Sequence, residues 1–331
     1  MMDTAVAPAT TKDAILVASG LTKHFPIGRA GFRGPMRVVR AVDDVSFSVW
    51  RGSTLGLVGE SGCGKSTLAR VLLRLTEATA GSVIFNGENL FDLSRDEMRQ
   101  RRRDMQMIFQ DPLSSLNPRM TVGEILKEPL LIHGVARGEE KQRVADLLEE
   151  VGLGPHHSNR LPHEFSGGQR QRIGIARALA LRPSLVVCDE AVSALDVSIQ
   201  SQILNLLRDV QREYGLTYLF ISHNLSVVKA VCDTVGVMYL GRMVEFADKR
   251  SLFSTPNHPY TQALLSAVPK SHPRATGARI ALHGDVPNPI NPPTGCRFHT
   301  RCPAAMPICQ KMDPVLKDIG AGHLSACHLN D

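Results

Sequence analysis

The segment Gly59-Glu60-Ser61-Gly62-Cys63-Gly64-Lys65-Ser66 fits the pattern G-x4-G-K-S/T and lies between a short apolar run and a stretch with helical spacing. Glycines let backbone N–H groups curl around a phosphate without Cβ clashes, and a helix N-terminus adds partial positive charge. In this pattern Lys65 reaches the β/γ oxygens, the Ser66 hydroxyl ligates Mg²⁺, and Thr67 opens the helix behind them. Cys63 lies in the loop, but its side chain has no required role. Further on, Asp189-Glu190 closes the apolar run Ser184-Leu185-Val186-Val187-Cys188. An acid there holds Mg²⁺ through water, and a second one beside it orients or deprotonates an attacking water. The bland alternative for this pair is an acid at a helix start.

These residues need strands and helices to hold them. Residues 14–60 read as strands and turns, with Thr54 to Val58 a strand running into the loop. Lys65 to Leu75 then has helical spacing (Leu68, Val71, Leu72, Leu75), residues 122–152 read as amphipathic helix, and Gly167 to Leu181 reads as a helix stopped by Pro183. Ser184 to Asp189 and Leu216 to Ile221 are continuous apolar strands of the kind found in parallel sheets, and Ser198 to Tyr214 is a helix. Alternating strands and helices predict an α/β core. Beyond residue 254 prolines crowd in, at 256, 259, 269, 273, 287, 289, 292 and 293. A boundary is expected there, giving domains 1–253 and 254–331.

Between the two acidic and phosphate motifs lies Phe165-Ser166-Gly167-Gly168-Gln169-Arg170-Gln171-Arg172, a Ser and two Gly at a helix start. This peptide resembles the signature of ABC ATPases, and further matches follow in that family's order. Gln110, in Phe109-Gln110-Asp111-Pro112, resembles the glutamine that senses the γ-phosphate and Mg²⁺ and contacts the membrane subunit. Ser193-Ala194-Leu195-Asp196 resembles the loop that communicates across the dimer, and His223, in Ile221-Ser222-His223-Asn224, the switch histidine that fixes the γ-phosphate and the water. Phe25 is the best candidate for the aromatic that stacks on adenine, next to an insertion over residues 26–37.

The resemblance implies a P-loop NTPase of ABC type: a RecA-like core, an antiparallel β subdomain and an α-helical signature subdomain. It implies ATP and Mg²⁺ as cofactors, with Ser66, Gln110 and Asp189 as Mg²⁺ ligands and Glu190, His223 and Gln110 as the catalytic set. It also implies two ATPs sandwiched in a head-to-tail dimer, each covered by the other subunit's Ser166-Gly167-Gly168-Gln169 and approached by its Asp196.

A narrower resemblance is to the ATP-binding subunits of dipeptide and oligopeptide importers. It rests on Ser114-Ser115-Leu116-Asn117-Pro118-Arg119-Met120-Thr121, Asp196-Val197-Ser198-Ile199-Gln200 and His258-Pro259-Tyr260-Thr261. Ser66-Thr67-Leu68-Ala69-Arg70 is more like the second, F-type, of the two paired ATPase subunits. The implied partners are a second ABC ATPase subunit, two transmembrane permease subunits and, indirectly, an extracytoplasmic peptide-binding protein. The implied place is the cytoplasmic face of the inner membrane. Glu190-Ala191 departs from the Glu-Pro of many ABC proteins and leaves the acid in place.

The last 36 residues carry Cys296-x5-Cys302-x6-Cys309-x17-Cys327. Four thiolates suit a 4Fe–4S cluster or zinc, and unligated thiols in a packed loop are the third alternative. The resemblance favours the cluster, in a small cysteine-containing C-terminal domain. The chain has 331 residues, a formal net charge of +6 and 43% hydrophobic residues, enough for one large domain and a smaller one. That charge fits anionic ligands or a membrane surface and does not single out nucleic acid. Arg99-Gln100-Arg101-Arg102-Arg103 reads as a solvated helix face. A soluble ABC ATPase of DNA repair or translation is the competing reading; a single cassette without a long insertion argues against it and against a nucleic-acid partner. The cargo, whether dipeptide, oligopeptide or haem, is not written in this chain.

Overall fold

The computed structural model describes residues 13–29, 36–268 and 280–331. Part of the expected 26–37 insertion, residues 30–35, lies outside the described residues, as do Pro269 and Pro273.

The chain forms two compact units. It enters the first with β1 (Ala14–Arg29), β2 (Met36–Trp50), β3 (Thr54–Val58), α1 (Lys65–Leu72), β4 (Ala80–Phe85) and β5 (Glu88–Asn89). The second is built from α2 (Arg95–Arg101), β6 (Met105–Ile108), α3 (Pro112–Ser115), α4 (Val122–His133), α5 (Glu140–Glu150), α6 (Gly167–Leu179), β7 (Leu185–Asp189), α7 (Val197–Tyr214) and β8 (Thr217–Ile221). From His223 the chain returns to the first unit. There it forms α8 (Leu225–Val231), β9 (Thr234–Tyr239), β10 (Arg242–Asp248), α9 (Lys249–Ser254), α10 (Pro259–Ser266), β11 (Lys317–Asp318) and β12 (Leu324–Ser325).

In the first unit one sheet runs β2-β1-β4-β5, with β4 antiparallel to β1 and β5. A second runs β11-β12-β10-β9-β3. There β3 is parallel to β9, Leu57 opposite Gly236, and the β9–β10 hairpin is antiparallel. The hairpin turns at Leu240 and Gly241, both at positive φ (45° and 83°), the geometry that matches strand twist in a two-residue turn. Its close packing depends on small residues: a Cβ on Gly56 would sit 2.7 Å from Cys232 Sγ, and one on Gly236 2.9 Å from Met243 Sδ. The core here includes Leu55, Leu57, Leu68, Leu72, Val235 and Val237, all fully buried.

The second unit holds the parallel strands β8-β7-β6 and the helices. Strands β7 and β8 are buried along their whole length, which is why they read as unbroken apolar runs. Helices α4, α5 and α6 pack on one another, and Leu126, Leu147, Leu148 and Ile173 on them are fully buried. The expected helix over 122–152 is two helices, because Gly134 (φ 63°) and Gly138 (φ 86°) take left-handed backbone between them. The 99–103 arginines lie at the end of α2, where Arg99, Arg102 and Arg103 are exposed, as a solvated face requires.

Candidate active site

The phosphate loop joins β3 to α1 within the first unit. Gly59, Gly62 and Gly64 all take positive φ (152°, 77° and 106°). At Gly59 a Cβ would lie 2.2 Å from the Met238 carbonyl oxygen, and at Gly64 2.0 Å from that of Ala41, so no other residue type fits. Gly64 caps α1 without any side-chain bond, and the N-terminus of a helix is a favourable place for an anion. Lys65 is 5% exposed; its ammonium donates to the carbonyls of Gly59 (2.8 Å) and Glu60 (3.0 Å). Ser61 and Gly62 are exposed at the tip, and Ser66 and Thr67 are half-buried at the helix start. Cys63 is buried; burial pushes its thiol up, only partly offset by Lys65.

Two residues that no spacing rule flags reach this loop. The Glu60 N–H donates to the Tyr260 hydroxyl (2.8 Å), and the Glu60 carboxylate takes two bonds from Arg301, at 2.7 and 3.1 Å. Arg301 is 241 residues away along the chain, so no local pattern could announce it.

The acid pair ends β7 in the second unit. Asp189 is buried; Glu190 is half-buried with φ 48°, the left-handed region, and its N–H donates to the Ile221 carbonyl (3.0 Å). Strained backbone of this kind concentrates at functional positions. Gln110, exposed just after β6, donates from Nε2 to Glu190 Oε2 at 3.0 Å. Two motifs 80 residues apart in sequence therefore meet within this unit.

Ser166 caps α6. Its hydroxyl accepts from Gln169 N–H (3.3 Å), while Gln169 Oε1 accepts from Ser166 N–H (3.0 Å). With the cap made this way, Ser166 stays exposed at the start of the helix. A Cβ on Gly168 would meet Ile199 Cγ2 at 2.6 Å, so the second glycine serves the packing of α6 on α7. Asp196 opens α7, exposed and beside Val197, which is 80% exposed.

In the first unit, His223 is exposed where β8 has ended, next to Asn224, whose side chain caps α8. Phe25 is 36% exposed near the end of β1, with the Lys23 ammonium 4.8 Å over its ring. Its neighbour His24 bonds Asp43 (3.1 Å), which Arg297 and Arg242 also pair. Burial pushes the Asp43 carboxyl up, but the two guanidinium groups outweigh it and hold the carboxyl below its usual range.

The four tail cysteines lie near one another. Burial pushes the Cys296 thiol up to about 11, and Cys309, Cys327 and Cys302 add to the shift. Cys302 and Cys327 are also raised, by burial first and by neighbouring thiols. Among the described residues, however, no group of three or more His, Cys, Asp or Glu is arranged to hold a metal ion. The expected 4Fe–4S or zinc site therefore lacks support from the side chains as they stand. Nor, among the described residues, is any helix long and apolar enough to cross a membrane.

Residues 42–193 match the family described as ABC transporter, and residues 244–309 match the oligopeptide/dipeptide transporter C-terminal region. The oligopeptide transport ATP-binding protein AppF of Bacillus subtilis is 52% identical over 325 residues, covering 97% of this chain and 99% of that protein. Among solved structures, cbiO1 from Clostridium perfringens, part of the transporter complex cbiONQ, superposes with a TM-score of 0.63 at 26% identity, covering 74% of this chain and 92% of that one. The ATP-binding cassette MJ0796, in a dimeric post-hydrolysis state with ADP and Pi, gives 0.63 at 27% identity, covering 71% and 99%. A loop shaped for phosphate, an acid pair bonded to its glutamine and a capped signature helix thus fall within the matched fold. The chain belongs to the ATP-binding proteins of the ABC transporter family that carry the oligopeptide/dipeptide transporter C-terminal region.

Proposed function

We propose that this chain binds and hydrolyses ATP to drive import of dipeptides or oligopeptides through separate membrane-spanning subunits. The observation that carries the ATP reading is the phosphate loop, where three positive-φ glycines and an uncapped helix start surround the Lys65 ammonium. The peptide reading rests on the C-terminal region at 244–309 and on the likeness to AppF.

The proposed division of labour follows from each group's chemistry. Lys65 and the loop N–H groups take the β- and γ-phosphates; Phe25 stacks on adenine. Mg²⁺ supplies charge neutralisation between the phosphates when bound, with Ser66, Gln110 and Asp189 as its protein ligands. Glu190 polarises the attacking water, and Gln110, bonded to it at 3.0 Å, holds its carboxylate in place. His223 fixes the γ-phosphate and the water, while Ser166 to Gln169 and Asp196 face the nucleotide of a second ATPase subunit. We propose a related chain as that second subunit, two permeases as the moved parts, an extracytoplasmic peptide-binding protein as the feeder, and the inner face of the membrane as the place of work. The 1–253 segment then carries nucleotide chemistry and 254–331 the importer-specific extension.

The test is Glu190→Gln in the assembled transporter with the partner's ATPase site disabled. Hydrolysis is expected to fall on the order of 10²-fold or more while ATP binding persists; near wild-type turnover would contradict the role of Glu190. A 4Fe–4S cluster on Cys296, Cys302, Cys309 and Cys327 stays a proposal. It is motivated by four cysteines falling within 32 residues of sequence, whereas among the described residues no group of three or more His, Cys, Asp or Glu is arranged to hold a metal ion. About four iron and four sulfide per purified chain is the expected assay result, and their absence would overturn it.

A further inference from the structure

Glu60 is the one carboxylate in the phosphate loop, and the segment beyond residue 254 holds it twice. The Tyr260 hydroxyl accepts its N–H at 2.8 Å. The Arg301 guanidinium grips both carboxylate oxygens, at 2.7 and 3.1 Å, in the fork geometry that fixes direction as well as distance. Neither partner is loosely placed. Tyr260 is fully buried, and the Arg301 side chain is only 7% exposed. Their rings and neighbours form one aromatic group: Tyr239 stands 4.7 Å from Tyr260 and 5.2 Å from Phe298, and the guanidinium lies over the Tyr239 ring at 5.9 Å. The Arg301 N–H donates to the Phe298 carbonyl at 3.0 Å, so the turn that carries the arginine is anchored on that group.

The electrostatic consequence is direct. A triphosphate brings several negative charges to a loop that already contains a carboxylate, and repulsion between them would weaken binding. Arg301 cancels that carboxylate before the nucleotide arrives. Being a permanent cation in a low-dielectric setting, it does so at any physiological pH.

We propose that Arg301 is a positioning residue for nucleotide binding: by neutralising and orienting Glu60 it sets the ATP affinity of the phosphate loop, and the C-terminal extension thereby acts on the nucleotide site as well as on transport. This rests on the ATP reading above. Among the described residues the Arg301 guanidinium bonds Glu60 and, at 3.4 Å, the Tyr239 hydroxyl, so its effect is on uniform binding and not on the chemical step.

The experiment is a titration of the full-length chain with a fluorescent ATP analogue, for wild type, Arg301→Ala, Arg301→Lys, Glu60→Gln and the double variant, each checked by thermal melting. Arg301→Ala is expected to raise Kd roughly tenfold, and Arg301→Lys, which keeps the charge but not the two-bonded fork, to restore only part of the affinity. In the double variant, with no carboxylate left to neutralise, Kd returns to within about twofold of Glu60→Gln alone. A merely structural role would lower the melting temperature without that rescue. An unchanged Kd in Arg301→Ala, or a double variant as weak as Arg301→Ala, overturns the assignment. Should Arg301→Ala not fold, Arg301→Gln is read against the same thresholds. If wild type itself binds no ATP analogue, the nucleotide reading fails; if it binds and Arg301→Ala matches it, only the role of Arg301 fails.

Discussion

Glycine at position 64 is fixed twice over: its φ of 106° lies where side chains strain the backbone, and a Cβ there would enter the Ala41 carbonyl. Gly64→Ala is expected to cost about 1–3 kcal/mol of local strain and to abolish tight ATP binding, while the remainder of the fold survives. Nucleotide titration alongside a thermal melt separates the two effects, and wild-type affinity would contradict the account. Such constraints are why the motifs were so legible at this scale. The phosphate loop, the acid pair and the signature serine each require specific residue types in a row, and the structure places each at a strand end or helix start as their spacing implies. Gln110 and Glu190 were legible only as separate motifs; their bond crosses 80 residues and depends on β6 and β7 lying side by side.

At the scale of elements, α10 begins with a histidine that stays neutral. His258 Nδ1 accepts the Tyr260 N–H at 3.1 Å, and burial holds its pKa down at about 4 despite an opposing backbone bond with Ala326. Because the unfolded side chain titrates near 6.5, the unfolded state binds more protons between about pH 6.5 and pH 4. Stability contributed here is therefore fully present above about pH 6.5 and is lost on acidification toward pH 4. Urea unfolding across that window is expected to show the loss in wild type and a shallower slope in His258→Asn, which keeps a capping side chain without the titration. Elements whose signal is a run of apolar residues, such as β7 and β8, were readable. The short strands β5, β11 and β12 were not, since two residues carry no period, and the break between α4 and α5 was hidden in a continuous amphipathic pattern.

Across the whole molecule, the chain after residue 254 is tied back into the first unit by polar groups that would be costly to strand. Glu245, fully buried, accepts the N–H groups of Asn257 and His258 (2.7 and 3.0 Å) and pairs with His323 at 2.6 Å. Asp43 depends on Arg297 in the same way. Arg297→Ala is expected to destabilise the protein by about 3 kcal/mol, because a buried carboxylate loses its nearest partner; a urea midpoint unchanged from wild type would contradict this. Truncation after Ser254 strips Tyr260, Arg297, Phe298, Arg301 and His323 together and is expected to yield aggregated chain. A dispersed truncated protein with wild-type ATP affinity would be the opposite result. None of these ties was visible in the sequence, because each joins residues whose types are ordinary and whose separation is long.

Lys65 carries one more implication. Its ammonium is engaged by the carbonyls of Gly59 and Glu60, so an arriving anion does not meet a wandering side chain. It must outbid two backbone acceptors of the very loop it enters. A triphosphate brings several charged oxygens to that exchange, whereas chloride or bicarbonate brings a single charge. The loop's own backbone thus acts as a resident competitor that screens its visitors by charge density.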